Sequence, residues 1–238
     1  MMEDLTGQFR ARYEALRSSV DEVCASCGRD PSEVTVIGVS KVFPVDFAKA
    51  AFAAGITDLG ENRVQELVPK TEAFAEAGLD ARWHLIGTLQ KNKVKYVIGK
   101  THLIHSVDSV ELAQEIAKRS LCNNVISDIL LQVNVSGEET KHGFTVEEVR
   151  KSVQDIMSIE GIRVKGLMTM APVQSEEGDA RIVFENTKML FDELNPGTWD
   201  TLSMGMSGDW KYAVMCGATH IRIGTALFGD RAAYAAKG

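Results

Sequence analysis

The chain has 238 residues, 45% of them hydrophobic and 25% charged, with a net charge of −7 at pH 7. That is the profile of a soluble globular protein. Its acidic balance argues against a nucleic-acid or anionic-membrane surface as the main business, since both need clustered Lys and Arg, yet a small anionic ligand needs only a local positive pocket. No apolar run approaches the roughly 20 residues of a membrane span, and the N-terminal MMEDLTGQFRARYEAL lacks a signal-peptide core. Cys24, Cys27, Cys122 and Cys216 are too few and scattered for a disulfide framework, so a cytoplasmic location is expected.

Phe9, Tyr13, Leu16, Val20 and Val23 recur at helical spacing and predict a helix over 3–28, punctuated by Gly28 and Asp30-Pro31. Strand-like runs follow at 34–40, 57–60, 82–87, 102–108, 128–136, 162–170, 199–205 and 220–228. Helical patterns lie between them at 45–54, 63–77, 109–119, 145–158, 178–194 and 208–216. In the 109–119 window, Val110, Ala113, Ile116 and Ala117 form the inward stripe. Alternating strands and helices predict an α/β fold with a parallel sheet. Eight units in this length favour a single (β/α)8 TIM-type barrel with an extra N-terminal helix, an open doubly wound sheet being the runner-up. Nothing breaks the chain, so 1–238 is expected to be one domain, with residues 1–30 preceding the barrel.

Barrels gather function at the C-terminal ends of their strands. Those ends hold Lys41, Glu61-Asn62-Arg63, His84, His105 with Asp108, Asn134 with Ser136, Met168-Thr169-Met170, Ser203 to Gly208, and Arg222 to Thr225. Alternation puts Ile37, Val39 and Lys41 on one side of the first strand. If that side is a dry apolar interior, desolvation lowers the lysine pKa and yields the neutral amine that a Schiff base requires. The alternative is a lysine that starts a loop and reaches solvent. Ser207-Gly208 and Gly224-Thr225 are small, donor-rich turns after the last two strands, where barrels often bind phosphate. Lysine and cradle together describe a ligand with a carbonyl at one end and a phosphate at the other. Arg222 shares a side with His220 and Gly224 and can only donate hydrogen bonds. It would keep a facing pyridine nitrogen unprotonated and weaken the ring as an electron sink; the alternative is a salt bridge at the rim.

The stretches VSKVFP, GENRVQE, WHLIGTLQKNK, HSVDS, LMTMAP, LSMGMSGDW and RIGTALFGDR, in this order, resemble the pyridoxal-phosphate-binding family of YggS/PROSC type, the vitamin B6 homeostasis proteins. The resemblance runs to about Arg231. It implies a barrel similar to the N-terminal domain of alanine racemase. Pyridoxal 5'-phosphate (PLP) would be carried as a Schiff base on Lys41, with Ser207, Gly224 and Thr225 on the phosphate, Arg222 at the ring nitrogen, and Asn62, His84 and Met204 nearby. It further implies cofactor buffering or delivery, with PLP-dependent apoenzymes as recipients, and no clear turnover. A monomer is expected. The chain departs from many members in having Val42-Phe43 after the lysine, and Lys141 in the 136–144 loop is a second candidate for aldehyde contact.

A PLP-dependent racemase or decarboxylase is the alternative function, and a class I aldolase using Lys41 a third. A racemase needs a second acid/base on the opposite face. Tyr13, Tyr96, Tyr212 and Tyr234 do not fall at predicted strand ends, although Tyr212 and Tyr234 are near the right face and stay open as candidates; no further β-domain is expected after strand eight, which favours binding over catalysis. The Cys24/Cys27 pair at the tail of a helix lacks a second pair for zinc, and the Lys91, Lys93, Lys95 cluster reads as a solvated face. His105 either belongs to the rim or fills space; Met168, Met170, Met204 and Met206 suit a soft wall or an ordinary core equally.

Overall fold

The computed structural model describes residues 2–138, 142–172 and 177–230. Eight parallel strands close in chain order: β1 (Thr35–Val39), β2 (Asp58–Glu61), β3 (Arg82–Leu85), β4 (Leu103–Val107), β5 (Ser127–Gln132), β6 (Ile162–Met168), β7 (Thr201–Met206) and β8 (His220–Ile223). β1 pairs with both β2 and β8, and that second pairing is what an open sheet lacks. The fold is the TIM-type barrel expected from the alternation.

Helices α1 (Met2–Cys27), α2 (Val45–Ala53), α3 (Val64–Glu76), α4 (Val110–Cys122), α5 (Val146–Met157), α6 (Glu177–Leu194) and α7 (Trp210–Met215) surround the sheet. Local chemistry starts several of them. The Ser109 hydroxyl accepts from Leu112 N–H at the head of α4, and Thr145 with Glu148 forms a capping box on α5. Outward strand residues such as Leu59, Leu85, Ile104, Ile129, Leu202 and Ile221 join the α4 stripe of Leu112, Ala113 and Ile116 in one buried cluster. Each large aliphatic side chain so buried contributes about 1.5–3 kcal/mol. α1 packs against α2 and α7, with Phe9 edge-on to Phe47 and Arg29 donating to the Val214 and Ala218 carbonyls. Among the described residues, no helix is long and apolar enough to cross a membrane.

Six strands (β1, β3, β4, β5, β6 and β8) stop earlier than expected. β8 ends at Ile223, and one helical turn, α8 (Thr225–Phe228), follows Gly224; it brings Phe228 onto Phe9 and Phe43. β5 ends at Gln132 because the Asn134 side chain accepts from Ser136 and Gly137 and turns the chain. β6 ends at Met168, so Thr169 and Met170 lie in the loop. After β3 the chain forms a 3-10 segment, Lys91–Tyr96, in place of an α-helix.

The barrel interior is divided. Leu103, Leu130 and Met168 fill one part with a small apolar cluster of their own. Ile37 and Val39 sit against Gly60, where a Cβ would lie only 2.9 Å from Ile37; Gly60 therefore gives the first strand room to keep its bulky inward residues. The remainder is polar, occupied by His84, His105, Ser203 and Arg222.

Candidate functional site at the barrel mouth

Lys41 stands two residues beyond β1, in a tight turn and partly exposed. Of the two readings of Lys41, the lysine that starts a loop is the one its backbone fits: the strand ends at Val39, and part of the interior below is polar. The turn itself is firmly built. Phe43 N–H donates to the Ser40 carbonyl (3.1 Å), closing a four-residue turn with Lys41 second and Val42 third. Val42 has φ +66°, a conformation in which a β-branched residue is strained. Its N–H is held by Glu66 Oε2 (2.6 Å). Phe43 is anchored by stacking on Phe47 at 5.3 Å between centroids.

Behind the turn lies a buried ion pair. Lys70 Nζ contacts Glu61 Oε1 (2.5 Å) and donates to the Ser40 carbonyl (2.9 Å), while the Ser40 hydroxyl donates to the same Glu61 oxygen (2.5 Å). Burial pushes the Glu61 carboxyl up, and Lys70 opposes it. α3 thus fixes the residue before Lys41, a role absent from the sequence reading of Glu61.

The neighbouring rims converge by register. Gly38 pairs with Ile223, so Lys41, just past the end of the neighbouring strand, lies beside the Gly224–Thr225 turn and just above its level. Met206 pairs with Arg222, which brings Ser207 and Gly208 level with the end of β8. Ser207 and Thr225 are exposed and Gly224 is buried. Asn62 follows Gly60 on the inward alternation of β2. Its Oδ1 is buried without a hydrogen-bond partner among the described residues. The backbone of Asn62 is pressed against Gly87, where an added Cβ would sit 2.2 Å from the Asn62 carbonyl oxygen.

Below the rim, Arg222 is buried and makes no ion pair among the described residues; Nη1 donates to Ser203 Oγ (2.6 Å) and Nη2 to the Thr169 carbonyl (2.9 Å). This removes the alternative of a rim salt bridge. Burial lowers its pKa to about 10, Asp209 opposing. Its other N–H groups take no partner among the described residues and remain available to a ligand. His105 Nδ1 lies 2.9 Å from Ser203 Oγ, His105 Nε2 lies 2.9 Å from His84 Nδ1, and His84 Nε2 lies 3.1 Å from Asp58 Oδ1. Burial drives the His84 pKa down, Asp58 opposing, and drives His105 well below the ordinary range with the help of His84 and His220. Burial alone would raise the Asp58 carboxyl, but the bonds from Arg82 and His84 prevail and hold it well below the carboxylate range.

The structure brings Lys41, Asn62, Ser207, Arg222, Gly224 and Thr225 to one end of the barrel. His84 is fully buried lower down, bonded to His105 and Asp58. Met204 is wholly enclosed in the main hydrophobic cluster. Lys141 and Tyr234 lie outside the described residues. Asp58, Ser203 and Thr169 were missed as supports. The only signal in the sequence was the gathering of histidines, at 84, 102, 105 and 220, in strands three, four and eight. Among the described residues, no group of three or more His, Cys, Asp and Glu is arranged to hold a metal ion.

The family described as "Alanine racemase, N-terminal domain" matches residues 13–232. A "Pyridoxal phosphate homeostasis protein" of Aquifex aeolicus is 41% identical over 223 residues, 92% of this chain and 97% of that protein. The structure of PipY from Synechococcus elongatus PCC7942, with PLP bound, superposes with a TM-score of 0.82 at 32% identity, covering 93% of this chain and all of that one. An alanine racemase of Clostridium difficile superposes with a TM-score of 0.69 at 17% identity over 83% of this chain and 55% of its own, a likeness of fold alone.

Proposed function

The chain belongs to the pyridoxal phosphate homeostasis protein family, within the alanine racemase N-terminal domain group, and from that premise we propose that it binds PLP and acts in intracellular supply of the cofactor without turnover. The observation that carries the reading is Arg222, a buried, donor-only group with N–H to spare, below a rim that presents a lysine and two hydroxyl-bearing turns. That donor set fits PLP. The Lys41 amine would bond the aldehyde carbon with loss of water, and Ser207, Thr225 and the backbone at Gly224 would grip the phosphate. Arg222 would meet the ring nitrogen as a donor. Asn62, with its unpartnered Oδ1, would lie beside the ring.

When bound, PLP supplies an electron sink, and a donor-only arginine at its nitrogen weakens that sink by excluding a ring proton. Absence of turnover has a second support. Arg222, Ser203, His105 and His84 are joined in series by hydrogen bonds, so none of the three side chains behind Arg222 is poised to move a substrate proton. PLP-dependent apoenzymes are the natural recipients of a cofactor held in this way.

The purified protein should absorb visible light, and borohydride should fix a single cofactor mass on the peptide containing Lys41. Lys41→Ala should lose that adduct. A reduced adduct located wholly on another lysine would refute the anchor. Rapid α-hydrogen exchange of alanine in heavy water would refute the absence of turnover and favour the racemase.

A further inference from the structure

Resting on this PLP reading, we propose that Asp58, His84, His105 and Ser203 are positioning residues for Arg222, a one-way hydrogen-bond chain that aims its guanidinium at the ring nitrogen of the cofactor.

The chain has only one consistent arrangement of protons. At one end Asp58 is saturated as an acceptor: Oδ1 takes Arg82 Nε (2.8 Å) and His84 Nε2 (3.1 Å), and Oδ2 takes Arg82 Nη2 (2.5 Å) and the Thr57 hydroxyl (3.1 Å). An ionised carboxylate cannot donate, so the proton between Asp58 and His84 belongs to His84 Nε2. His84 is neutral in its buried setting, which leaves Nδ1 bare, and the 2.9 Å contact is therefore a donation from His105 Nε2–H. By the same step His105 Nδ1 is bare and accepts from the Ser203 hydroxyl at 2.9 Å. With its proton spent, Ser203 Oγ can serve Arg222 only as an acceptor, and Arg222 Nη1 can only donate. Four bonds, four donors and four acceptors run in one direction, from arginine to carboxylate.

Both end groups are fixed in role, so the chain holds protons in place and cannot pass them along. What it transmits is orientation. Two anchors, Ser203 Oγ on β7 and the Thr169 carbonyl just after β6, grip the two terminal nitrogens of Arg222, fixing the plane of the guanidinium. Without the imidazoles the Ser203 hydroxyl could rotate, and the first anchor would lose its polarity. Hence Asp58, at the start of β2, bears on a contact made beyond the end of β8.

The first test reads the unliganded protein. Nitrogen-15 NMR of the histidine rings at neutral pH should show His84 and His105 both as the Nε2–H tautomer; an Nδ1–H tautomer or a doubly protonated ring at either position would overturn the chain. The second compares PLP with a 1-deaza analogue, in which the ring nitrogen is replaced by C–H. Wild-type protein should prefer PLP by about tenfold or more, the worth of a hydrogen bond from a charged donor. Ser203→Ala should shrink that preference severalfold, leave affinity for the analogue nearly unchanged, and be rescued by Ser203→Thr. His105→Leu should act like Ser203→Ala, and His105→Gln, which can both donate and accept, should retain part of the preference. Equal losses for both ligands, or none, would overturn the positioning role while leaving PLP binding intact. Failure of wild-type protein to bind PLP at all would instead overturn the reading of the site.

Discussion

Lowering the pH from 7 to 4.5 should destabilise this protein chiefly through its buried histidines. His84 and His105 are both fully buried and both depressed below the ordinary 6.5. In the unfolded chain each imidazole takes up a proton near that ordinary value, whereas in the folded barrel it stays neutral. The unfolded state therefore binds more protons below pH 6.5, and stability falls with pH. For an imidazole that stays neutral, the loss is about 1.4 kcal/mol at pH 5.5 and about 2.7 kcal/mol at pH 4.5. The two losses act in the same direction, so stability falls as the pH drops below the ordinary imidazole value. His220, held at about 3 mainly by burial, adds in the same direction. Asp58 is ionised throughout this window, so its own contribution fails only below the ordinary carboxylate range. The groups around the pair sharpen the effect. A second proton on His84 would point Nδ1–H at His105 Nε2–H, and Arg82, His102, His220 and Arg222 all disfavour another positive charge nearby. Urea unfolding at half-unit steps of pH measures the slope directly. His105→Gln should flatten it by about 1.4 kcal/mol per pH unit whatever its effect on absolute stability. A urea midpoint that stays constant from pH 7 to pH 5 would refute the reasoning.

Lys70→Met should cost about 3–5 kcal/mol, because it leaves Glu61 charged and buried without its partner, and adding Glu61→Gln should recover part of the loss in chemical denaturation. Gly87→Ala should weaken PLP binding severalfold while the barrel still folds, because the new Cβ must displace the Asn62 backbone; a spectral titration reads it. Val42→Gly should relieve a left-handed conformation worth about 1–2 kcal/mol, offset in part by the greater freedom of the unfolded chain, for a net gain of about 0.5 kcal/mol in thermal unfolding.

The barrel was legible because its signals are local. Apolar runs of β length alternate with helical stripes such as Ala113, Ile116 and Ala117, and each can be read within a short window. The rim residues were legible for a related reason, since a strand's C-terminal end is a sequence position. What stayed hidden lies across the barrel. Ser203 and His105 are 98 residues apart, His84 and Asp58 are 26 apart, and only closure of β8 on β1 sets where Arg222 stands. Side-chain alternation placed Arg222 inside, but could not show that its partners are a hydroxyl and a carbonyl in place of a carboxylate. The form of the turn at Lys41 stayed hidden because Val42 has no intrinsic taste for a positive φ; the bonds that hold it there come from α3 and from Phe43.

That choice of partners for Arg222 bears on how the site discriminates among ligands. A carboxylate in contact with Arg222 would have satisfied the guanidinium with a bidentate pair and left it little use for a ring nitrogen. A hydroxyl and a carbonyl anchor the group without neutralising it. Desolvation is therefore felt, as the depressed pKa of about 10 records, and the distant Asp209 compensates only in part. A ligand that brings an acceptor to this arginine, and negative charge to the rim nearby, offsets a cost already built into the folded chain. Pyridoxal phosphate brings both, whereas a sugar phosphate brings the phosphate and a carbonyl but no ring nitrogen. With Arg222 at the ring nitrogen as proposed, PLP should be preferred over sugar phosphates, and Arg222→Met should narrow that preference more than it lowers affinity for the phosphate they share.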